Sequence, residues 1–336
     1  MPVTIRDVAK NAQVSVATVS RVLNQSATVK EDTRQKVLKA IKESGFTYNA
    51  IARSLSTRKS VTIGVIVPAI TNPVFAQSTR GAQDFSNSYG YSIILGTSDY
   101  SSDAEDRLIE VFKEKRVEGI ILTCSNIHHE YIQRLKQFNL PFVLLYNTPF
   151  DKTLNFVTID NYKAAYEIVE HLVKLGHRRI GMIAGRFDMS DRSLARFQAF
   201  KACLKDHGIP DQPIDFIETD LSFEGGKKAM EMLLDITPPL TGIFCSNDFM
   251  AMGAMKSIRE KGLRIPEDIS IVGFDDIEMA SYFSPELTTI HQPAYEMGLK
   301  GAELLFKISS GDLKDSQHII LEHELVIRNS TGPVNQ

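Results

Sequence analysis

The sequence predicts an α/β protein in two parts: a small helical head carrying a helix-turn-helix, and a large core of doubly wound β/α layers folded as two halves. Three observations predict it. Residues 1 to 24 place two short amphipathic segments on either side of a polar turn. From Val61 onward, apolar runs of strand length alternate with longer amphipathic stretches. Charge divides at the same place. Residues 1–60 hold 11 Lys or Arg against 4 Asp or Glu, a net of +7, and the other 276 residues hold 27 against 37, a net of −10, together making the −3 of the chain. A basic head on an acidic body is the asymmetry expected when only the head neutralises phosphates.

In the head, Thr4 with Asp7 and Ser15 with Thr18 place hydroxyl N-caps at two helix starts. Ile5, Val8 and Ala9 form one apolar stripe, and Val19, Val22 and Leu23 another, so the two helices can pack at an angle across the turn. Val16, Ala17, Ser20 and Arg21 then face outward. Such a helix fits the major groove, its small apolar side chains against thymine methyls and its arginine against a guanine edge. A plain helical hairpin is the competing reading, and outward Arg21 with the basic head favours DNA. Residues 28–45 predict a third helix, with a capping box from Thr28 and Glu31, an apolar face of Val37, Leu38 and Ile41, and Gly45 as C-cap.

Residues 47–60 read as a hinge. The segment from Asn49 to Leu55 can make two helical turns, too short to be stable alone. Ordered on DNA, it would let Leu55 wedge into a minor-groove step while Arg53 and Arg58 hold phosphates; Leu55 also reads as an ordinary core leucine.

The core spans 61–336. Apolar runs at 61–67, 91–95, 119–122, 142–145, 180–184, 242–245 and 269–273 predict strands buried on both faces, hence parallel sheets covered by helices. Helices are predicted near 74–89, 103–116, 129–138, 161–176, 192–208, 223–235, 248–262 and 293–310, several closing on a glycine. Two such halves place a ligand at the strand C-terminal ends, in the cleft between them.

Several function classes find no support. There is no GxxxxGK[ST] loop, GxSxG elbow or HExxH, and Gly64 lacks the following glycines of a dinucleotide turn, so neither an enzyme nor a cofactor is predicted. Cys124, Cys203 and Cys245 are isolated and read as packing residues. The pairs His128-His129 and His171 with His177 lack metal-ligand spacing, and no metal is predicted. Neither a leader peptide nor an apolar run of membrane-spanning length is visible, which predicts a cytoplasmic protein without membrane contact.

The residues carry a resemblance along essentially the whole chain. Val14 to Asn24, Asn49 to Leu55, Asn72-Pro73-Val74-Phe75, Asn247 to Ala254, Gly262 to Asp276 and Ser284 to Ile290 stand in the order and spacing of the LacI/GalR family of bacterial transcription regulators, which the sequence resembles. The resemblance implies a homodimer with a periplasmic-binding-protein-like core, in which a small molecule in the cleft changes how two headpieces are held. It implies an N-subdomain of about 61–160 plus 292–320 and a C-subdomain of about 161–291 plus 321–330. The expected function is a repressor of a carbohydrate-utilisation operon reading a pseudo-palindromic operator. The expected DNA-facing residues are Thr4, Ser15, Val16, Ala17, Thr18, Ser20, Arg21 and Asn24 in the head, with Asn49, Ala52, Arg53 and Leu55 in the hinge. Val16-Ala17 is similar to the pair common in family members whose operators have a central CG step.

The resemblance also implies a ligand cleft of Phe75, Tyr146, Arg196, Leu221, Asn247 and Asp275. The chemistry suits a sugar: a carboxylate takes two vicinal hydroxyls, an arginine returns fixed donors, and a ring stacks on the less polar face. Asn247 reads equally as a turn cap, and Phe75 also reads as core. Asp188, Asp191 and Arg192, just before the Arg196 helix, read either as added polar contacts or as solvated loop charges, the second being favoured. The chain departs from the family pattern where Tyr146-Asn147 stands after the 142–145 strand, at a place where some sugar-responsive members have an acid, where Leu221 and Val74 replace frequent aromatics, and where Tyr48 replaces a proline. The C-terminus lacks a leucine heptad, which argues against a coiled-coil tetramer. Two alternatives remain: control by a protein co-regulator docking near 292–310, as in the carbon-catabolite branch, and a solute-binding protein, against which the head and the missing leader argue.

Overall fold

A computed structural model describes residues 3–23, 29–46, 60–125, 127, 129–210, 215–313 and 315–334. The chain divides into two compact units, Met1–Val61 and Thr62–Gln336.

In the first unit, helices α1 (Ile5–Asn11), α2 (Val16–Leu23) and α3 (Glu31–Ser44) close around Val8, Ala9, Ala12, Val19, Val22, Val37 and Ala40. Gly45 ends α3 in the left-handed region at φ 64°, as its sequence position predicts. Two expectations for α3 need correction. It begins at Glu31 behind Lys30, with Thr28 outside the described residues. Its inner face is Val37, Ala40 and Ile41, at i, i+3 and i+4, and Leu38, about 100° further round, is 46% exposed.

In the second unit, the first half is a six-stranded parallel sheet of β1 (Thr62–Val67), β2 (Ser92–Thr97), β3 (Ile120–Leu122), β4 (Phe142–Leu145), β5 (Phe156–Ile159) and β11 (His318–Leu321), in the order β11-β5-β4-β3-β1-β2. Its helices are α4 (Pro73–Ser88), α5 (Ser102–Glu114), α6 (His129–Gln137) and α11 (Ala294–Ser310). The second half is a parallel sheet of β6 (Ile180–Gly185), β7 (Phe216–Thr219), β8 (Gly242–Cys245) and β9 (Ser270–Val272), in the order β7-β6-β8-β9. Around it lie α7 (Asn161–Lys174), α8 (Asp191–Asp206), α9 (Phe223–Leu234) and α10 (Asp248–Glu260), and a short antiparallel ribbon joins β10 (Thr289–His291) to β12 (Glu324–Val326).

The seven strands expected from apolar runs are all present. Five more, β5, β7, β10, β11 and β12, were not expected. The chain passes between the halves three times: between β5 and α7, between β10 and α11, and between β11 and β12. Every strand of a parallel sheet points its C-terminal end the same way, so the loops that follow them gather at one edge of each sheet.

Candidate functional site

Those loops converge on one buried cleft. Asn72 follows β1, Tyr100 follows β2, Tyr146 follows β4, Ser190 follows β6, Leu221 follows β7, Asn247 follows β8 and Asp275 follows β9. All seven line a cavity of about 30 Å³, with Phe75, Arg192, Arg196 and Gln292.

Arg196 is its fixed centre. It is 6% exposed on α8, and three hydrogen bonds and a ring contact hold it. Nε and Nη2 donate to Asn161 Oδ1 at 3.0 and 2.8 Å, and Nη1 donates to the Ser246 carbonyl. The guanidinium lies on the Phe274 ring, 3.5 Å from its centroid. Burial pushes its pKa down to about 10, which still leaves it charged at neutral pH.

Asp275 lies 4.0 Å from Arg196 and is itself 8% exposed. Its Oδ1 accepts from Gln292 Nε2 at 2.6 Å. Burial pushes its carboxyl up to about 6, with Arg196 opposing the shift. Its backbone has φ 121°, a conformation that L side chains rarely adopt. Gln292 turns a buried Oε1 that no protein group satisfies, an acceptor awaiting a donor.

Phe75 packs edge-on against Tyr146, with ring centroids 5.4 Å apart, and the Tyr146 hydroxyl donates to the Val74 carbonyl at 3.1 Å. Asn247 does both things its sequence position allows. Its Oδ1 caps α10 by accepting from Met250 N at 2.9 Å, and the residue lines the cleft. Leu221 lines the cleft beside Gly185, where a Cβ would overlap its side chain.

The structure thus brings Phe75, Tyr146, Arg196, Leu221, Asn247 and Asp275 together. Of the two readings of the loop charges, the less favoured one holds for Arg192, which is 7% exposed and lines the cleft, and for Asp191, which bonds across it, whereas Asp188 is an exposed charge paired with Arg186. Sequence reasoning also missed Asn72, Tyr100 and Gln292 as cleft residues. Asn72 carried a signal, because an asparagine before proline at a helix start caps the helix, here through Val74 N at 3.0 Å, just after a strand. Gln292 carried none, since its place at a crossing between halves is a property of the whole topology.

In the head, Thr4 and Asp7 form a capping box at the start of α1, in which Asp7 turns back to accept from Thr4 N and Thr4 Oγ1 at 2.8 and 2.7 Å. Ser15 Oγ accepts from Thr18 N at 3.1 Å and caps α2. Val16, Ala17 and Arg21 on that helix are exposed and Ser20 is half-buried, which leaves a small-residue face with one arginine open to a partner. Asn24, Asn49, Ala52, Arg53 and Leu55 lie outside the described residues.

A helix-turn-helix in one unit and a periplasmic-binding-protein-like core in the other define the class of DNA-binding transcription regulators. Sequence comparison agrees. The model described as bacterial regulatory proteins, lacI family, matches residues 4–49, and that of the periplasmic binding protein-like domain matches residues 169–331. Catabolite control protein A of Priestia megaterium is 36% identical, over 98% of this chain and 100% of its own. The lac repressor dimer bound to operator and the anti-inducer ONPF has a TM-score of 0.89 at 30% identity, covering 99% of this chain and 100% of that one. A LacI family regulator from Enterococcus faecium with bound ribose has a TM-score of 0.73 at 33% identity, covering 82% of this chain and 100% of that one. The chain belongs to the LacI family of bacterial regulatory proteins. Among the described residues no helix is long and apolar enough to cross a membrane.

Proposed function

We propose that the chain works as a homodimer that represses a carbohydrate-utilisation operon, its hold on a pseudo-palindromic operator set by a sugar or sugar derivative in the cleft. The observation that carries this reading is the cleft's charge balance. Arg196 is offset by Asp275 and Arg192 by Asp191, at 4.0 and 3.1 Å, so the cleft suits a neutral ligand rich in hydroxyls. Asp275 and the unsatisfied Gln292 Oε1 accept from hydroxyls, while Asn247 and Arg192 donate to them. The ribose-bound relative supports the ligand class, and the lac repressor dimer on operator supports the dimer and the DNA.

The test is a thermal-shift panel on the full chain with pentoses, hexoses, disaccharides, sugar acids and nucleosides. A saturating ligand raises stability by roughly 3 kcal/mol, and the same compound then changes affinity for an operator-bearing duplex. A panel without a single shift would overturn the sugar reading. It would favour the second one, control by a protein co-regulator, for which the similarity to catabolite control protein A speaks.

A further inference from the structure

The cleft has a larger neighbour. A second chamber of about 270 Å³ lies beside it, reached by Asp99, Arg186, Asp220 and Ser222, and two residues, Tyr100 and Leu221, line both spaces. Tyr100 comes from the loop after β2 and Leu221 from the loop after β7. The wall between cleft and chamber is therefore made of one side chain from each half of the core.

Tyr100 is presented by a strained turn. Asp99 and Tyr100 stand in succession in the left-handed region, at φ 49° and 60°, a conformation that glycine adopts freely and a tyrosine does not. The turn is fastened to the first sheet. Ser98 N donates to the Val67 carbonyl at 3.1 Å and Asp99 N to the Pro68 carbonyl at 2.9 Å, both at the end of β1, and Ser101 N closes the turn on the Ser98 carbonyl at 2.9 Å. The Ser98 hydroxyl donates at 3.4 Å to Glu105, a fully buried carboxylate in the first turn of α5. The ring packs against the core of the second unit, and Arg192, Arg196 and Asp275 are the charges that bear on its hydroxyl. Burial pushes that hydroxyl up to about 12, so it stays neutral and both donates and accepts.

We propose that Tyr100 sets the length of the effector: with Leu221 it walls the cleft off from the outer chamber and confines the ligand to a single sugar ring. The proposal rests on the sugar reading above and narrows it. A ring needs more room than the cavity of about 30 Å³ offers, so side chains around it must yield, and the turn that carries Tyr100, pinned to β1, is the wall that does not. Removing the phenol ring joins the two spaces and gives a second sugar unit a chamber of its own. The charges there select what enters. Asp99 and Asp220 line the chamber, while Arg186, which also lines it, is paired with Asp188 at 2.7 Å. A phosphate would meet two carboxylates, whereas the hydroxyls of a neutral sugar would meet two acceptors.

The test is titration calorimetry on the full chain with ribose, glucose and galactose against cellobiose, maltose and lactose, in the native protein, Tyr100→Ala, Tyr100→Phe and Leu221→Ala. The native chain binds a monosaccharide and rejects the disaccharides. Tyr100→Ala raises disaccharide affinity relative to the monosaccharide by at least about tenfold, the lower end of what packing in a pocket discriminates. Tyr100→Phe keeps the wall and keeps the native order. Leu221→Ala breaches the wall from the other half and changes the order as Tyr100→Ala does, so the proposal stays testable if either variant fails to fold.

The order of preference is the readout, because a purely structural role for Tyr100 would weaken every sugar alike. Sugars bound in an unchanged order by folded Tyr100→Ala and Leu221→Ala proteins would overturn the length filter and leave the sugar reading standing. A native chain that takes a disaccharide as readily as its monosaccharide would do the same. Silence toward every sugar in all four proteins would overturn both together.

Discussion

Asp275 is the residue whose ionisation the fold disfavours. Burial raises its carboxyl to about 6, against an ordinary value of 3.8. Between those values the folded chain holds a proton that the unfolded chain has released, so this group's contribution to stability falls as pH rises from about 4 to 6. At neutral pH the buried charge costs on the order of 3 kcal/mol relative to the protonated form. Asp275→Asn keeps the shape and removes the titration. Its stability relative to the native chain, followed by urea denaturation, should climb as pH is raised from about 4 to 6 and level off above. A difference that stays flat with pH would mean Arg196 and Gln292 hold the carboxylate at its ordinary value. On the proposed sugar reading the same residue sets function against stability, because a ligand hydroxyl would donate to the ionised form, the one that folding resists.

At the scale of elements, each half of the core rests on one pair of helices in close contact. A Cβ on Gly298 of α11 would overlap the Ser78 carbonyl of α4, and one on Gly81 of α4 would overlap the Tyr295 carbonyl. In the other half, Gly226 of α9 and Gly253 of α10 are crowded in the same way by Met250 and Phe223. Backbone offers nothing that can swing aside, so Gly298→Ala must part α4 and α11, at roughly 1–3 kcal/mol. A urea midpoint unchanged in that variant would show the helices slide freely. These contacts were invisible in sequence, because a helical glycine reads only as a weak helix former. The elements legible beforehand were those with a one-dimensional signal: strands such as Ile180–Gly185, buried on both faces, and α2, with its serine cap and apolar stripe. Phe216–Thr219 and His318–Leu321 carry polar residues and stay partly exposed at the edges of their sheets, so neither run looks like a buried strand. The cleft residues were legible where a family motif surrounds them, as at Asn247 and Asp275. They were illegible where topology alone brings them in, as at Gln292.

For the whole molecule, the regulatory reading places two ligands on one chain, DNA at the head and a sugar in the cleft, and thermodynamics ties them together. If the sugar changes operator affinity by some factor, operator must change sugar affinity by the same factor, whatever the route through the core. That equality holds whether the ligand releases DNA or recruits it, so it tests coupling without assuming a direction. Titrating sugar into the free protein and into its operator complex gives one factor, and titrating operator with and without sugar gives the other. Unequal factors would mean that a third equilibrium, such as dimer dissociation, carries part of the response. Equal factors would locate the coupling in a pair of core states between which both ligands discriminate, because a ligand shifts an equilibrium only by its differential affinity for the two states.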